Sequence, residues 1–239
     1  MSELKSNRAK DSELEKAMQR HYNLIYRING IPYKRCDDIQ LQLKGQDLSF
    51  TAKNGQKIVD EKCATNYWNK TLNTFAMEMS FDMCDRQTGE PIGKRYGGWF
   101  INPDNISTTY SLGYVSAKSV EDLSVGRLQS FECIIVEKKA INDYLCKALN
   151  VNDIYDAEEM FLYMIDDGTA SQNDRGGYFW KVNNDIKMVR SDNLAEHPIN
   201  IVVNKATLSR LCSLHCKIDY HECGFNYTQI YKSKQLLFV

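Results

Sequence analysis

The sequence predicts an α/β fold in which a mixed β-sheet is flanked by helices. Three observations support this prediction. Apolar residues recur at helical spacing near the N-terminus, they then alternate with polar residues over several short segments, and helical spacing returns after residue 136. A helix followed by a strand meander, and then by further strands and helices, is typical of mixed α/β domains.

Length and composition describe an ordinary globular chain. The 239 residues are 43% hydrophobic and 26% charged, which is enough apolar material for a sizeable core. No linker-like, low-complexity or repeated segment divides the chain, so we predict a single domain over residues 1–239. The formal net charge of −1 gives no overall attraction to nucleic acid, but it allows a locally basic groove beside metal-binding carboxylates.

Targeting signals are not evident in the sequence. The N-terminal segment lacks the apolar stretch of a secretion signal, and no apolar run of about eighteen residues could span a bilayer. The eight cysteines lie mostly inside apolar segments at irregular spacing, as expected of reduced thiols. We therefore expect a cytoplasmic protein that does not contact a membrane.

The first predicted element is an amphipathic helix over residues 13–28. Ser12 followed by Glu15 matches a capping box, and apolar residues then share one helical face. Gly30 and Pro32 are expected to end this helix.

A strand meander is predicted to follow the helix. Residues 39–44 alternate apolar and polar side chains, and residues 47–52 continue the extended pattern. Asn54-Gly55 is typical of a tight hairpin turn whose two central residues adopt positive φ angles. The third predicted strand covers residues 57–64.

The remaining chain is predicted to contain more strands and at least two helices. The predicted strands cover residues 74–81, 99–101, 108–117, 130–136 and 178–182, with another beginning at residue 199. The predicted helices cover residues 137–149 and the segment after Asn204, which can serve as its N-cap. Residues 85–98 and 166–177 are predicted loops, and the pattern of residues 156–165 leaves helix and strand open.

Two acidic residues and one lysine on the predicted hairpin form a candidate site. Asp60 and Lys62 lie two residues apart on a strand, so their side chains share one face while Glu61 points to the other. The hairpin can bring Asp47 near Asp60. Converging carboxylates repel unless a cation lies between them, and oxygen ligands suit Mg²⁺ or Mn²⁺. The pattern by itself also fits a hairpin with solvated, cross-strand charge pairs.

Residues 44–81, KGQDLSFTAKNGQKIVDEKCATNYWNKTLNTFAMEMSF, resemble the PD-(D/E)XK nuclease superfamily of the restriction-endonuclease-like fold. More narrowly, they look like a group of bacterial endonuclease-like proteins with a run of the type KGxDV…YIDEKAxxxYxNKxLxTFAFEL. The resemblance implies a restriction-endonuclease-like core, with Asp47 and Asp60 as the metal-binding carboxylates and Lys62 as the motif lysine. It implies Mg²⁺ or Mn²⁺ as the cofactor, and the carbonyl of Glu61 could complete the inner coordination shell.

Further residues are candidates for catalysis or DNA contact. Glu78 lies on the less apolar face of its predicted strand, where it could serve the same site or pair with a lysine. Lys94 and Arg95 occur beside aromatic residues and combine phosphate-pairing charge with stacking surface, and Lys70 and Arg175 could extend that surface. Each of these cations is equally explained as a solvated charge.

We therefore predict a metal-dependent endonuclease that hydrolyses DNA phosphodiester bonds, in the manner of a restriction or defence enzyme. The alternative is a catalytically inactive DNA-binding or protein-interaction module on the same fold. Cutting both strands of DNA often calls for a dimer, so a homodimer is a further expectation, although the sequence does not identify its interface.

The cysteine- and histidine-rich segment between Cys212 and Cys223 suggests zinc, but its spacing fits no familiar ligand frame. Leu208, Cys212 and His215 recur at helical spacing, which favours a core helix face. The sequence also lacks the serine-hydrolase elbow, the phosphate-binding P-loop and the dinucleotide-binding turn.

Overall fold

The computed structural model describes residues 8–85, 88, 90–174 and 176–233, with side chains described from residue 13 onward. The chain divides into two compact units. Its seven-stranded unit comprises residues 8–73, 106–141 and 208–233, and its six-stranded unit comprises residues 74–105 and 142–207. That all residues form one domain stays a prediction.

Helices are interspersed among runs of consecutive strands along the described chain. The described helices are α1 (Arg8–Ile28), α2 (Ile39–Gln42), α3 (Val120–Ser124), α4 (Lys138–Leu149), α5 (Ile154–Asp166) and α6 (Lys205–Leu211), with a 3-10 turn at Thr65–Tyr67. The described strands are β1 (Tyr33–Arg35), β2 (Leu48–Ala52), β3 (Gly55–Cys63), β4 (Thr74–Cys84), β5 (Pro91–Gly97), β6 (Thr109–Ser116), β7 (Ser130–Glu137), β8 (Ser171–Gln172), β9 (Tyr178–Lys181), β10 (Ile186–Arg190), β11 (Ile199–Asn204), β12 (Leu214–His221) and β13 (Gly224–Lys232).

Each unit contains one sheet. The seven-stranded sheet has the order β1-β2-β3-β6-β7-β12-β13, and its strands pair antiparallel except for β3 and β6, which are parallel. The six-stranded sheet has the order β5-β4-β11-β10-β9-β8 and is antiparallel throughout. The prediction of a mixed α/β fold with a mixed sheet and flanking helices is therefore confirmed.

Helix α1 packs its apolar face into the core of the seven-stranded unit. Met18, Tyr22 and Ile25 are buried and join one hydrophobic cluster with side chains of the sheet. Gly30 ends the helix with a φ of +68°, and the N–H of Ile31 donates to the carbonyl of Tyr26 at 2.9 Å. The predicted helix is confirmed, but it begins at Arg8, so Ser12 is not its cap; the side chain of Ser12 lies outside the described residues.

The predicted hairpin is confirmed, whereas the strand expected before it is wrong. Strands β2 and β3 pair from Leu48 opposite Val59 to Ala52 opposite Gly55, and Gly55 alone carries the positive φ, +110°, of the described turn. Residues 39–42 form the short helix α2, because the carboxylate of Asp38 caps its first N–H groups. Their apolar side chains are not buried, so the alternation at residues 39–44 does not mark a sheet face.

The later chain departs from the predictions where contacts distant in sequence decide the structure. Strand β5 lies in a predicted loop; it is an edge strand, where glycine, proline and charged residues are tolerated. Residues 99–101 form a turn rather than a strand, and β10 was not predicted. His215 lies on β12, not on a helix face, because α6 ends at Leu211 and pairing with β7 takes over.

Within the described residues, no helix combines the length and the apolar character that a membrane span requires.

Candidate active site

The hairpin of β2 and β3 brings Asp47 beside the strand that carries Asp60. Asp47 directly precedes β2, and its N–H donates to the carbonyl of Val59 at 2.9 Å, so the antiparallel pairing continues past Leu48. The N–H of Glu61 donates to Oδ2 of Asp47 at 2.6 Å. These two hydrogen bonds fix the Asp47 carboxylate at the level of Asp60.

Asp60 and Lys62 project together from the same face of β3. The Nζ of Lys62 lies 2.8 Å from Oδ1 of Asp60. The side chain of Asp60 is 2% exposed, whereas that of Lys62 keeps 25% of its surface in contact with solvent. The pair therefore lies at a sheet surface that opens to solvent on the lysine side.

The charges of the three side chains perturb one another. Burial and the neighbouring Asp60 raise the pKa of Asp47 to about 7, although Lys62 and the Glu61 N–H oppose this shift. Burial lowers the pKa of Lys62, but the carboxylates of Asp60 and Asp47 raise it by more, so it lies above its ordinary value. The ammonium is thus protonated, and the two carboxylates act on each other.

Two charged residues near the site were missed by the sequence analysis. Burial lowers the pKa of Lys138, at the start of α4, and the negative charge of Asp60 opposes that shift. The carboxylate of Glu15 on α1 helps to raise the pKa of Lys62. Both residues are distant in sequence, so only the tertiary structure brings them near the hairpin.

The register of β3, β6 and β7 leads from Asp60 to Lys138 on the same side of the sheet. Asp60 is aligned with Tyr110 on β6, and Tyr110 with Val136 on β7. Lys138 follows two residues after Val136, where the strand passes into α4. Its ammonium is half-buried close to the carboxylate pair.

The side chain of Glu61 points to the opposite face of β3. Its carboxylate accepts hydrogen bonds from Arg35 Nη1 at 2.6 Å and from the Tyr26 hydroxyl at 2.8 Å. This buried network joins α1 and β1 to the sheet beneath the candidate site. Glu61 can thus contribute its backbone carbonyl to the site, while its side chain serves the core.

The remaining predicted site residues are divided between the two units. Glu78 lies half-buried on β4 in the six-stranded unit, opposite Asn200. Lys94 is exposed on β5 of the same unit, and Lys70 is exposed after the 3-10 turn of the seven-stranded unit. Arg175 lies outside the described residues.

Arg95 has partners within the six-stranded unit. Its guanidinium lies 2.6 Å from Asp82 and 2.9 Å from Glu158, and it also donates to the carbonyl of His197. Its charge is therefore matched by neighbouring carboxylates. A contact between Arg95 and DNA stays a prediction.

The cysteine- and histidine-rich segment has its own contacts. The ring nitrogens of His215 lie 2.7 Å from the hydroxyl of Ser209 and 2.7 Å from the carboxylate of Glu132. Cys212 and Cys216 are buried, whereas His221 and Cys223 are exposed. Within the described residues, no three His, Cys, Asp or Glu side chains converge as a metal-binding group. Asp47 and Asp60 are a pair of such side chains and therefore fall below this threshold of three.

Comparisons with protein-family models, with curated proteins and with solved structures found no match to this chain. Membership of the PD-(D/E)XK superfamily accordingly stays a prediction that depends on the residues of the hairpin.

Proposed function

We propose that the protein is a metal-dependent endonuclease that hydrolyses DNA phosphodiester bonds on a restriction-endonuclease-like core. One observation carries this proposal: Asp47, Asp60 and Lys62 converge on one side of the β2–β3 hairpin, with Lys62 Nζ 2.8 Å from Asp60. A pair of carboxylates beside an ammonium is suited to holding a divalent cation and a water next to a phosphate.

The donor set fits Mg²⁺ or Mn²⁺. The raised pKa of Asp47 reflects burial next to another carboxylate, an unfavourable arrangement that a divalent cation would relieve. Only Oδ2 of Asp47 accepts a hydrogen bond from the described residues, so Oδ1 can serve as a ligand. Asp47, Asp60 and the Glu61 carbonyl would hold the ion, and water or substrate oxygens would complete its shell. When bound, the ion supplies Lewis-acid stabilisation of the phosphoryl charge.

Lys62 would act on the attacking water or on the pentavalent phosphorane. Its raised pKa keeps it protonated, so it can donate a hydrogen bond to the water and stabilise negative charge on the phosphate. Deprotonating the water would require a lower pKa for Lys62. The pKa of Lys62 would fall if the negative charges of Asp47 and Asp60, which raise it, were neutralised.

Lys138 would bind the DNA backbone beside the cleaved bond. It is a half-buried cation on the Asp60 side of the sheet, and its desolvation favours pairing with an anion. A phosphate group next to the scissile bond is the anion that a nuclease substrate offers there.

Cleavage of supercoiled plasmid DNA tests the proposal. We expect nicking or linearisation with Mg²⁺ or Mn²⁺, none with a chelator, and loss of cleavage in Lys62→Met while DNA binding persists. Binding without cleavage in the wild-type protein would favour the inactive module. If the wild-type protein neither cleaves nor binds DNA with any divalent ion, the proposed function is wrong.

A further inference from the structure

A cavity of about 480 Å³ lies within the six-stranded unit, and all residues that line it belong to that unit. It forms on the solvent-facing side of β9, β10 and β11. Its volume lies within the range of about 300–1,000 Å³ that is usual for small-molecule sites. Nothing in the proposed cleavage chemistry uses this cavity.

Strand alternation gives the cavity an apolar floor. Met188 and Ile201 are buried on one side of β10 and β11, whereas Val189 and Val202 on the other side are half-buried and line the cavity. Phe179 on β9 lies directly opposite Val189 and adds an aromatic ring. This floor offers a flat apolar ligand a surface for stacking and packing.

Two lysines stand at the same cavity. Lys181 on β9 lies directly opposite Lys187 on β10, and Lys187 lies opposite Val202 on β11. Both lysines are exposed, and neither has an ion-pair partner among the residues that the structure describes. Like charges placed directly opposite each other destabilise a sheet, and a bound anion would relieve that repulsion.

The β9–β10 turn adds amide groups at the rim. The side-chain oxygen of Asn183 accepts the N–H groups of Asp185 and Ile186 at 2.7 and 3.0 Å, which leaves its NH₂ group as a donor. The exposed amide of Asn184 has no hydrogen-bond partner in the described part of the chain. Such amides can pair with the donors and acceptors on a base edge. Asp185, which also lines the cavity, accepts from the Tyr144 hydroxyl at 3.4 Å.

We propose that this cavity binds a nucleotide. The phosphate would lie between Lys181 and Lys187, the base would pack on Phe179 and the two valines, and the amides of the turn would contact the base edge. Binding does not depend on cleavage, but a role in positioning a nucleotide of a DNA strand rests on the proposed function. That role would give the six-stranded unit a share in substrate recognition.

Calorimetric titration with a chelator present tests the site apart from any metal chemistry. The probes are deoxyadenosine monophosphate, deoxyadenosine and inorganic phosphate. We expect the nucleotide to bind at least about tenfold more tightly than either fragment, because the phosphate and the base have separate contacts. Lys187→Glu should weaken nucleotide binding at least about tenfold, whereas Lys147→Glu, an equal charge change at an exposed position of the same unit, should not.

A second substitution separates a specific site from general electrostatic attraction. Val202→Trp adds a large side chain at the floor without changing charge, and it should abolish nucleotide binding while circular dichroism shows an unchanged fold. No binding of the nucleotide at millimolar concentration would overturn the proposal. Equal effects of Lys187→Glu and Lys147→Glu, or full binding by Val202→Trp, would also overturn it.

A competition experiment identifies the source of the nucleotide. If a single-stranded oligonucleotide displaces the monophosphate from the wild-type protein and binds Lys187→Glu more weakly, the cavity takes a nucleotide within a strand. If the oligonucleotide does not compete, the cavity takes a free nucleotide. Either result can be obtained whether or not the protein cleaves DNA.

Discussion

Two Asp–Lys pairs on the seven-stranded sheet have the same spacing but different surroundings. Asp60 and Lys62 lie on β3 with a nitrogen–oxygen distance of 2.8 Å, and Lys217 and Asp219 lie on β12 with a distance of 2.6 Å. The side chains of the first pair are 2% and 25% exposed, and those of the second are 47% and 38% exposed, in the order Asp and Lys.

The two pairs lie on the same face of the sheet. Asp60 is aligned with Tyr110 on β6, and Tyr114, four residues later on the same strand, shares its face. Tyr114 is in turn aligned with Glu132 on β7, and Glu132 with Lys217 on β12. The two pairs thus share a sheet face and their residue types, and they differ in how deeply their side chains are buried. An acid–lysine pair with this spacing becomes a candidate site where solvent no longer screens its charges and a second carboxylate such as Asp47 adjoins it.

The largest expected difference between the pairs is in cleavage. Asp60→Asn should reduce the initial rate of plasmid cleavage at least about 100-fold, because it removes a charged ligand from the proposed metal site. Asp219→Asn, which alters the exposed pair, should leave the rate within about twofold of the wild type. Equal losses in the two variants would show that burial does not distinguish the pairs.

The second difference concerns stability. Lys62→Met should lower the free energy of unfolding by about 2–3 kcal/mol, because the buried Asp60 carboxylate loses its ammonium partner. Lys217→Met should change it by less than about 0.5 kcal/mol, as expected of a solvated pair. Urea denaturation monitored by circular dichroism measures both values. Similar values for the two substitutions would contradict the contrast.

A third difference should appear as a pH dependence of stability with a chelator present. Between about pH 4, the ordinary pKa of an aspartate, and about 7, the folded protein keeps a proton on Asp47 that the unfolded chain has released. Wild-type stability should therefore fall as pH rises through this window. Asp47→Asn removes that loss. From pH 4 to pH 8, the free energy of unfolding of the variant should therefore rise by at least about 1 kcal/mol relative to that of the wild type. If this stability difference did not vary with pH, burial and Asp60 would not raise the pKa of Asp47 in the folded protein.

The smallest expected effect is at Lys138. Lys138→Met should weaken DNA binding about threefold to tenfold, as expected for the loss of one phosphate contact. Lys139→Met, a neighbouring exposed position on α4, is the matched control and should bind as the wild type does. Fluorescence anisotropy with a labelled duplex measures both affinities. Equal affinity of the two variants for DNA would show that Lys138 does not contribute to DNA binding.

The local part of the candidate site could be predicted from the sequence, and the distant part could not. The two-residue period places Asp60 and Lys62 on one face with Glu61 on the other, and the hairpin brings Asp47 to the same level. Lys138 and Glu15 approach the site only through the packing of β6, β7 and α1, which no local pattern encodes.

Two predictions of individual elements were wrong for a related reason. The helical spacing of Leu208, Cys212 and His215 is real, but β7 offers residues 214–219 a ladder of hydrogen bonds that outweighs it. At residues 39–42, one capping carboxylate turns an alternating pattern into a helical turn. The periodicity of apolar residues does not reveal a single helix cap or a strand partner that is distant in sequence.

Calorimetric titration with Mn²⁺ tests the central claim most directly, because it asks whether the buried acids share a cation. We predict that the wild-type protein binds at least one ion per chain, that Asp47→Asn and Asp60→Asn each lose this binding, and that Asp219→Asn retains it. Mn²⁺ binding that survives both active-site substitutions, or no binding by a folded wild-type protein, would contradict the account.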